Sequence, residues 1–381
     1  MSSWPARSPD PGPGGSSSAG TATSPPALGA GRLESLSVGP FELESGVTIA
    51  DLTIAYRHDG PGPDTAPQVL AVHALTGSAD AAGDWWAPLI GPGRALDTSW
   101  VGVLCANLLG GRSGTTGPTS LDPLTGAPYG ETFPEVSTRD QARAQWRLLD
   151  ALSIGELAVV TGGSLGGMVA LEIALERPAA VRTVVPIAAP AATGALALAW
   201  NAIQLELIDR LGEDGLAIAR QLAMTTYRSE TDFDGRFGRR QEADGRLSIA
   251  SYLDYQGRKL VERFDPASYR ILVRAMDLHD IGRDRGGVAE ALAALAEAGT
   301  RLTGLGISGD ILYGPTQVRA LVRAAAAASV EATYRELDST KGHDAFLVEW
   351  DQLGAVLTEA LDVPPSEAKG LDEGGEALGI L

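Results

Sequence analysis

The sequence predicts an α/β domain in which a mostly parallel, doubly wound sheet is interrupted by a helical insertion. Three observations lead to that prediction. Short apolar runs alternate with helical patterns, the runs are nearly continuous in Val, Leu, Ile and Ala, and the alternation stops after Pro190 and resumes at Arg301. Continuous apolar runs are typical of central parallel strands, because helices cover both faces of such strands.

Five of the runs are expected to form buried parallel strands. An earlier stretch, residues 47–57, alternates apolar and polar side chains and predicts an antiparallel edge strand. Ser137 is a typical capping residue and opens a helical pattern that extends to Leu152, and residues 165–175 predict a second helix. The five runs are residues 68–75, 100–109, 156–164, 181–189 and 301–309.

The expected domain boundaries follow from shifts in composition. Residues 1–35 are rich in Ser, Pro and Gly and predict a disordered tail, and residues 363–381 predict an acidic tail. Residues 36–190 and 285–362 are expected to form the α/β core. Residues 191–284 are expected to form a helical lid over the carboxyl edge of the sheet, where such folds bind ligands. The alternative is that these helices only complete the core.

The composition excludes several classes of function. The formal charge is −18, from 30 basic and 48 acidic residues, which argues against a nucleic-acid or anionic membrane surface. A single cysteine, Cys105, excludes an intramolecular disulfide and a thiolate zinc cluster, and the scattered histidines predict no metal site. No signal peptide or membrane span is predicted, so a cytoplasmic location is expected.

The strongest candidate for a nucleophile is Ser164. It stands in the segment GGSLGG, residues 162–167, at the end of a predicted buried strand and the start of a helix. A G-x-S-x-G turn in that context is the nucleophile elbow of the α/β-hydrolase fold, in which small neighbours allow close backbone approach. The sequence therefore predicts an α/β-hydrolase fold with Ser164 as nucleophile. The alternative is a Gly-rich turn without chemistry.

The base and the acid follow from chain order, which in this fold is Ser, then acid, then His. His343 is the expected base, because His279 lies within the predicted lid. Asp310 closes the last predicted buried strand and is the expected acid, which would orient the imidazole and stabilise its protonated form. Asp338 and Asp277 are the competing acids.

Two backbone N–H groups are expected to form an oxyanion hole. One belongs to Leu165, which begins the helix after Ser164, and the other to Leu75, in the loop that follows residues 68–75. His73, in the same region, is expected to be buried and structural rather than catalytic.

Longer motifs resemble the homoserine O-acetyltransferase family of α/β-hydrolase-fold acyltransferases. The resemblance covers roughly residues 40–360, and Ser164, Asp310 and His343 match the family's triad. The matching stretches are HALTGSA (73–79), DWWAPLIGPGRALDT (84–98), NLLGGRSGTTGPTS (107–120), RDQARAQWRLLDALSI (139–154), GGSLGGMVALE (162–172), TYRS (226–229), SYLDYQGRKLVERFDPASY (251–269), SGDILYGPTQ (308–317) and GHDAFL (342–347).

The resemblance implies transfer of an acetyl group from acetyl-CoA through a Ser acyl-enzyme to L-homoserine, giving O-acetyl-L-homoserine for methionine biosynthesis. It also implies that Arg220 and Asp344 bind the substrate, and their chemistry suits the carboxylate and the ammonium group of an amino acid. Leu312 looks like the acetyl type, since succinyl-transferring members tend to carry Arg there. Acetyl-CoA is thus expected as co-substrate with no bound cofactor, and a homodimer is expected through the lid helices.

Other activities remain open at this point. The same family includes serine O-acetyltransferases and homoserine O-succinyltransferases, and an esterase with the same triad would use water as acceptor. A non-catalytic binding protein of the same fold is disfavoured, because Ser, Asp and His are intact and in the expected order.

Overall fold

A computed structural model describes residues 28–362, which are built around an eight-stranded sheet with a separate two-stranded ribbon. In chain order the strands are β1 (Ala30–Ser37), β2 (Phe41–Glu42), β3 (Thr48–Ile49), β4 (Thr53–Asp59), β5 (Gln68–Val72), β6 (Gly102–Ala106), β7 (Leu157–Gly163), β8 (Val181–Ile187), β9 (Arg301–Ile307) and β10 (Ala332–Leu337). Across the large sheet their order is β1-β4-β6-β5-β7-β8-β9-β10, and β2 pairs with β3.

Helices cover both faces of the sheet. They are α1 (Thr138–Ala151), α2 (Leu165–Glu176), α3 (Ala195–Leu211), α4 (Glu213–Tyr227), α5 (Glu230–Arg236), α6 (Ser248–Val261), α7 (Pro266–Asp277), α8 (Val288–Ala298), α9 (Pro315–Ala327) and α10 (Trp350–Ala360), with short 3-10 helices at Gly130–Thr132, Pro178–Ala180 and Gly342–Leu347. Two apolar cores result, one on each side of the sheet. No helix within residues 28–362 has the length and apolarity that crossing a membrane requires.

The predicted buried strands are confirmed as β5 to β9. They pair in parallel from β6 across β5, β7 and β8 to β9, and every residue of β5, β6 and β7 is buried. The helix predicted from Ser137 is confirmed as α1, whose Ser137 side chain accepts a hydrogen bond from the Asp140 N–H in a capping box. The predicted helix over residues 165–175 is confirmed as α2.

Two predictions on the amino-terminal side were wrong. The antiparallel strand in the predicted edge stretch is β4, but it pairs with β1 on one side and β6 on the other. The sheet edge is β1 instead, and residues 30–35, expected to belong to a disordered tail, form most of it. Every residue of β1 is exposed or half-buried, so this strand is held mainly by its backbone ladder to β4, with Leu36 packed against the core. The remainder of that tail, residues 1–27, and residues 363–381 lie outside the described part.

The interruption of the sheet is helical, as predicted. Helices α3 to α7 lie between β8 and α8, and their residues span 195–277. The chain then returns to the sheet through α8 and β9. That this insertion acts as a lid stays a prediction.

Helix α2 packs unusually close to β5 because Gly166 has no side chain. A Cβ built on Gly166 would lie 2.2 Å from the Val72 carbonyl oxygen, a backbone atom of the neighbouring strand. Such an overlap is relieved only if the helix and the strand move apart. The position of α2, and with it the turn at Ser164, therefore depends on glycine at this position.

We expect Gly166→Ala to lower the free energy of unfolding by about 2 kcal/mol or more, because overpacking against backbone cannot be relieved by a rotamer change. The measurement is the midpoint of urea unfolding followed by circular dichroism. Gly155→Ala is the matched control, since a Cβ there meets nothing within 4 Å. Equal midpoints for the two variants would contradict this account of α2.

Candidate active site

Ser164 occupies a strained turn between β7 and α2. Its φ of 58° and ψ of −124° lie in a region that L residues rarely adopt, at a cost of about 1–3 kcal/mol. Three hydrogen bonds hold this backbone: the Ser164 N–H donates to the Ile187 carbonyl at 2.9 Å, and the N–H groups of Gly167 and Met168 donate to the Ser164 carbonyl at 2.9 and 3.0 Å. This is the geometry of a nucleophile elbow.

Asp310 and His343 form a buried pair. His343 Nδ1 donates to Asp310 Oδ2 at 2.7 Å, and the two residues are only 3% and 5% exposed. Asp310 Oδ1 accepts from the backbone N–H groups of Leu312 at 2.8 Å and Tyr313 at 3.0 Å. Its carboxylate is therefore satisfied at both oxygens and set in orientation.

The competing acids are engaged elsewhere. The Asp338 carboxylate accepts a hydrogen bond from the Ser308 hydroxyl at 3.3 Å. Asp277 Oδ1 accepts from Asn201 Nδ2 at 2.8 Å. The structure thus pairs His343 with Asp310, the acid chosen from the sequence.

Burial and the neighbouring acids have opposite effects on the pKa of His343. Burial disfavours the charged imidazole, but the charge and hydrogen bond of Asp310 and the charge of Asp344 outweigh it, and the pKa of His343 is raised above its ordinary value. Its other nitrogen, Nε2, is buried and has no hydrogen-bond partner within residues 28–362. An imidazole oriented at Nδ1 and free at Nε2 is arranged to take a proton at Nε2.

A cavity of about 360 Å³ joins most of the predicted site. Ser164 and His343 line it together with Leu75, Arg220 and Asp344. These five residues come from the turn after β7, the loop after β5, helix α4 and the 3-10 helix after β10.

One predicted oxyanion donor follows Ser164 in the chain, and the other lines the same cavity. Leu75 lines the cavity, and Leu165 is the first residue of α2. For the backbone N–H groups of Leu75 and Leu165, no acceptor is found in the described part of the chain. Their role as an oxyanion hole stays a prediction.

The cavity residues that the reasoning from sequence missed include Tyr227, Lys259 and Arg263. The Arg220 guanidinium lies 5.2 Å from the centre of the Tyr227 ring. Arg263 Nη1 donates to the Thr76 carbonyl at 2.8 Å and so connects the helical insertion to the Leu75 loop. The available signal was that all three fall in stretches already quoted for the resemblance, TYRS and SYLDYQGRKLVERFDPASY.

Asp344 lines the same cavity and forms an ion pair with a residue that was not predicted as part of the site. Its Oδ2 is 3.2 Å from Arg228 Nη2, and both side chains are largely buried, at 17% and 19% exposed. Nothing in the sequence pattern indicated that this arginine, at the end of α4, reaches the His343 loop.

The other histidines near the site are structural. His73 is buried, as expected: its Nδ1 donates to the Ala74 carbonyl at 2.7 Å and its Nε2 accepts from the Leu108 N–H at 3.0 Å. Burial lowers the pKa of His73 to about 4, and that of His279 likewise to about 4.

Within residues 28–362, no group of three or more His, Cys, Asp or Glu side chains is placed to hold a metal ion.

Comparisons with known proteins agree with this architecture. A family profile described as the alpha/beta hydrolase fold matches residues 67–249. A homoserine O-acetyltransferase from Moorella thermoacetica is 41% identical over 347 residues, covering 83% of this chain and 92% of the relative. One from Thermus thermophilus is 45% identical over 317 residues, covering 76% and 80%. The crystal structure of a homoserine O-acetyltransferase from Staphylococcus aureus superimposes with a TM-score of 0.74 at 30% identity, covering 87% of this chain and 95% of that one.

Sequence identity of 41–45% extends over most of both chains. The strained turn at Ser164 and the Asp310–His343 pair also lie at the positions that the α/β-hydrolase fold uses for its triad. The chain belongs to the homoserine O-acetyltransferase family, within the α/β-hydrolase fold.

Proposed function

We propose that this protein transfers the acetyl group of acetyl-CoA to the side-chain hydroxyl of L-homoserine, and that Ser164, Asp310 and His343 are its catalytic triad. The observation that carries the proposal is one cavity in which Ser164 and the Asp310-oriented His343 meet two side chains of opposite charge, Arg220 and Asp344. Its product, O-acetyl-L-homoserine, is the intermediate that the family resemblance assigns to methionine biosynthesis.

The first half-reaction loads the enzyme. Ser164 Oγ attacks the thioester carbonyl carbon of acetyl-CoA while its proton passes to His343 Nε2. The tetrahedral oxyanion is stabilised by the N–H groups of Leu75 and Leu165. The C–S bond then breaks, the thiolate takes the proton back from His343, and the acetyl group remains as an ester on Ser164.

The second half-reaction runs the same steps with a new nucleophile. The homoserine hydroxyl gives its proton to His343 Nε2 and attacks the Ser164 ester, and the Ser164 oxygen leaves with that proton. Arg220 binds the acceptor's carboxylate and Asp344 its ammonium group, which holds the hydroxyl at the reacting carbon. Water competes for the same ester, and the insertion formed by α3 to α7 serves as the lid that limits its access.

The acceptor is tested by incubating the protein with acetyl-CoA and L-homoserine, L-serine or no amino acid. We expect thiol release and O-acetyl-L-homoserine to appear in equal amounts, with much slower release without an acceptor. Initial-rate patterns should be ping-pong, because the acetyl group rests on Ser164 between the two substrates.

Ser164→Ala is expected to abolish both thiol release and product, since no other group in the described site takes the acetyl group. Equal thiol release with and without amino acid would identify an esterase, and preference for L-serine a serine acetyltransferase. Rapid turnover of succinyl-CoA in place of acetyl-CoA would identify a succinyltransferase.

The pH dependence follows from the charges around His343. The base acts only when neutral, so thiol release should fall as the pH drops through a midpoint above about 6.5, the ordinary pKa of histidine. The carboxylate of Asp344 raises the pKa of His343, and Asp344→Asn should therefore move this midpoint toward lower pH.

The measurement is the pre-steady-state rate of thiol release without homoserine, from pH 5 to 9. Asp351→Asn is the control, because Asp351 is exposed at the start of α10 and is expected to leave the midpoint in place. A midpoint below 6.5 in the unaltered protein, or no shift in Asp344→Asn, would contradict the role given to His343.

We also propose a homodimer formed through the helices of the insertion. Large apolar side chains on α3 and α4 are solvent-exposed, among them Leu196 at 61%, Leu211 at 51%, Ile203 at 49% and Ile218 at 40%. A surface with several such residues on adjoining helices is typical of a protein–protein interface.

Light scattering is expected to give a mass of twice 39.4 kDa for the unaltered protein and of 39.4 kDa for Ile203→Glu. Leu124→Glu is the matched control, since Leu124 is 89% exposed but lies in a loop outside the insertion, and it should leave the dimer intact. A monomeric unaltered protein would refute this part of the proposal.

A further inference from the structure

We propose that Arg228 is a positioning residue that holds the Asp344 carboxylate in place for the ammonium group of the acceptor. The inference rests on the proposed function, because it concerns how that same site receives its second substrate. It assigns a task to a residue outside the triad and outside the pair Arg220 and Asp344.

The contact between the two side chains uses one oxygen of the carboxylate. Arg228 Nη2 lies 3.2 Å from Asp344 Oδ2, and Arg228 is the ion-pair partner of Asp344 within residues 28–362. A carboxylate offers about four acceptor positions on two oxygens. Oδ1 is therefore left for a second cation, and an ammonium group is the cation that the acceptor brings.

Arg228 is itself held from the other side. Its Nη1 is 3.9 Å from Asp232 Oδ2, and the Asp232 side chain is 2% exposed. Asp232 Oδ1 also pairs with Lys341 Nζ at 3.1 Å, so one buried carboxylate ties Arg228 to the loop that carries His343 and Asp344. A flexible side chain anchored at both ends loses little further entropy when the substrate binds.

The backbones of the two segments are in contact as well. The Ser229 hydroxyl donates to the Thr340 carbonyl. A Cβ built on Gly342, which has a φ of 70°, would lie 2.7 Å from the Ser229 backbone nitrogen. The end of α4 and the His343 loop therefore form a close junction, and Arg228 crosses it to pair with Asp344, which lines the cavity.

Each half-reaction gives this proposal a separate readout. In a ping-pong scheme kcat/KM for acetyl-CoA reports only acetylation of Ser164, and kcat/KM for homoserine reports only the transfer. Arg228→Gln should lower kcat/KM for homoserine about tenfold, the size expected for one charge-assisted contact, and leave kcat/KM for acetyl-CoA within twofold. Arg228→Lys, which keeps the charge, should recover part of the loss.

Arg236→Gln is the matched control. Arg236 also pairs with Asp232, at 3.4 Å, and lies one helical turn after it on α5. Within the described residues, Arg236 forms no ion pair with Asp344. Its substitution removes one cation from the same buried carboxylate and should leave both kcat/KM values within twofold.

A double-mutant cycle with Asp344→Asn completes the test. If Arg228 acts through Asp344, the double variant should lose no more kcat/KM for homoserine than Asp344→Asn alone. Additive losses, an equal fall of both kcat/KM values in Arg228→Gln, or the same split in Arg236→Gln would overturn the proposal. Failure of the unaltered protein to acetylate homoserine would instead refute the proposed function.

Discussion

The structure of the site depends on the backbone of Ser164. A φ of 58° at a residue with a side chain is unfavourable, and it persists because neighbouring elements enforce it from several directions. β8 accepts the Ser164 N–H, α2 donates to its carbonyl, and Gly166 lets α2 approach the carbonyl end of β5. Gly163 does the same on the other side, where a Cβ would lie 2.4 Å from the Phe346 ring. One strained turn thus determines how close the Leu75 loop and the His343 loop come to the serine.

The Asp310–His343 pair shows a second constraint, the cost of burying polar atoms. An unpaired buried nitrogen costs about 1–3 kcal/mol, and His343 Nε2 is such an atom. The fold offsets this by giving both oxygens of Asp310 hydrogen bonds, from two backbone N–H groups and the imidazole. The rings of Tyr227, Tyr313 and Phe346, with centroids 5.6 to 5.8 Å from the imidazole, keep it from turning away. The unsatisfied atom is therefore confined to the place where a reacting proton is expected.

Much of this could be predicted from sequence because both the central strands and the triad order leave local signals. Apolar runs predicted β5 to β9, and strand ends predicted where Ser164, Asp310 and His343 would meet. The strand β1 left no such signal, since it pairs with β4 through its backbone and none of its side chains is fully buried. The pair of Arg228 and Asp344 was equally invisible, because the two residues are distant in the chain and meet only through the packing of α4 against the His343 loop.

The charge of the chain and the charge of the cavity have different consequences. A formal charge of −18 repels polyanions at a distance, but at physiological ionic strength charges farther apart than about 8 Å are largely screened. An anionic co-substrate at the cavity therefore interacts mainly with the side chains that line the cavity. The charged ones are three cations, Arg220, Lys259 and Arg263, and two acids, Asp84 and Asp344. The positive charge of the cavity comes entirely from the insertion, since all three cations lie in the segment that runs from α4 to the start of α7. Under the proposed function, an acidic protein receives CoA because its inserted helices give this cavity a charge opposite to that of the whole chain.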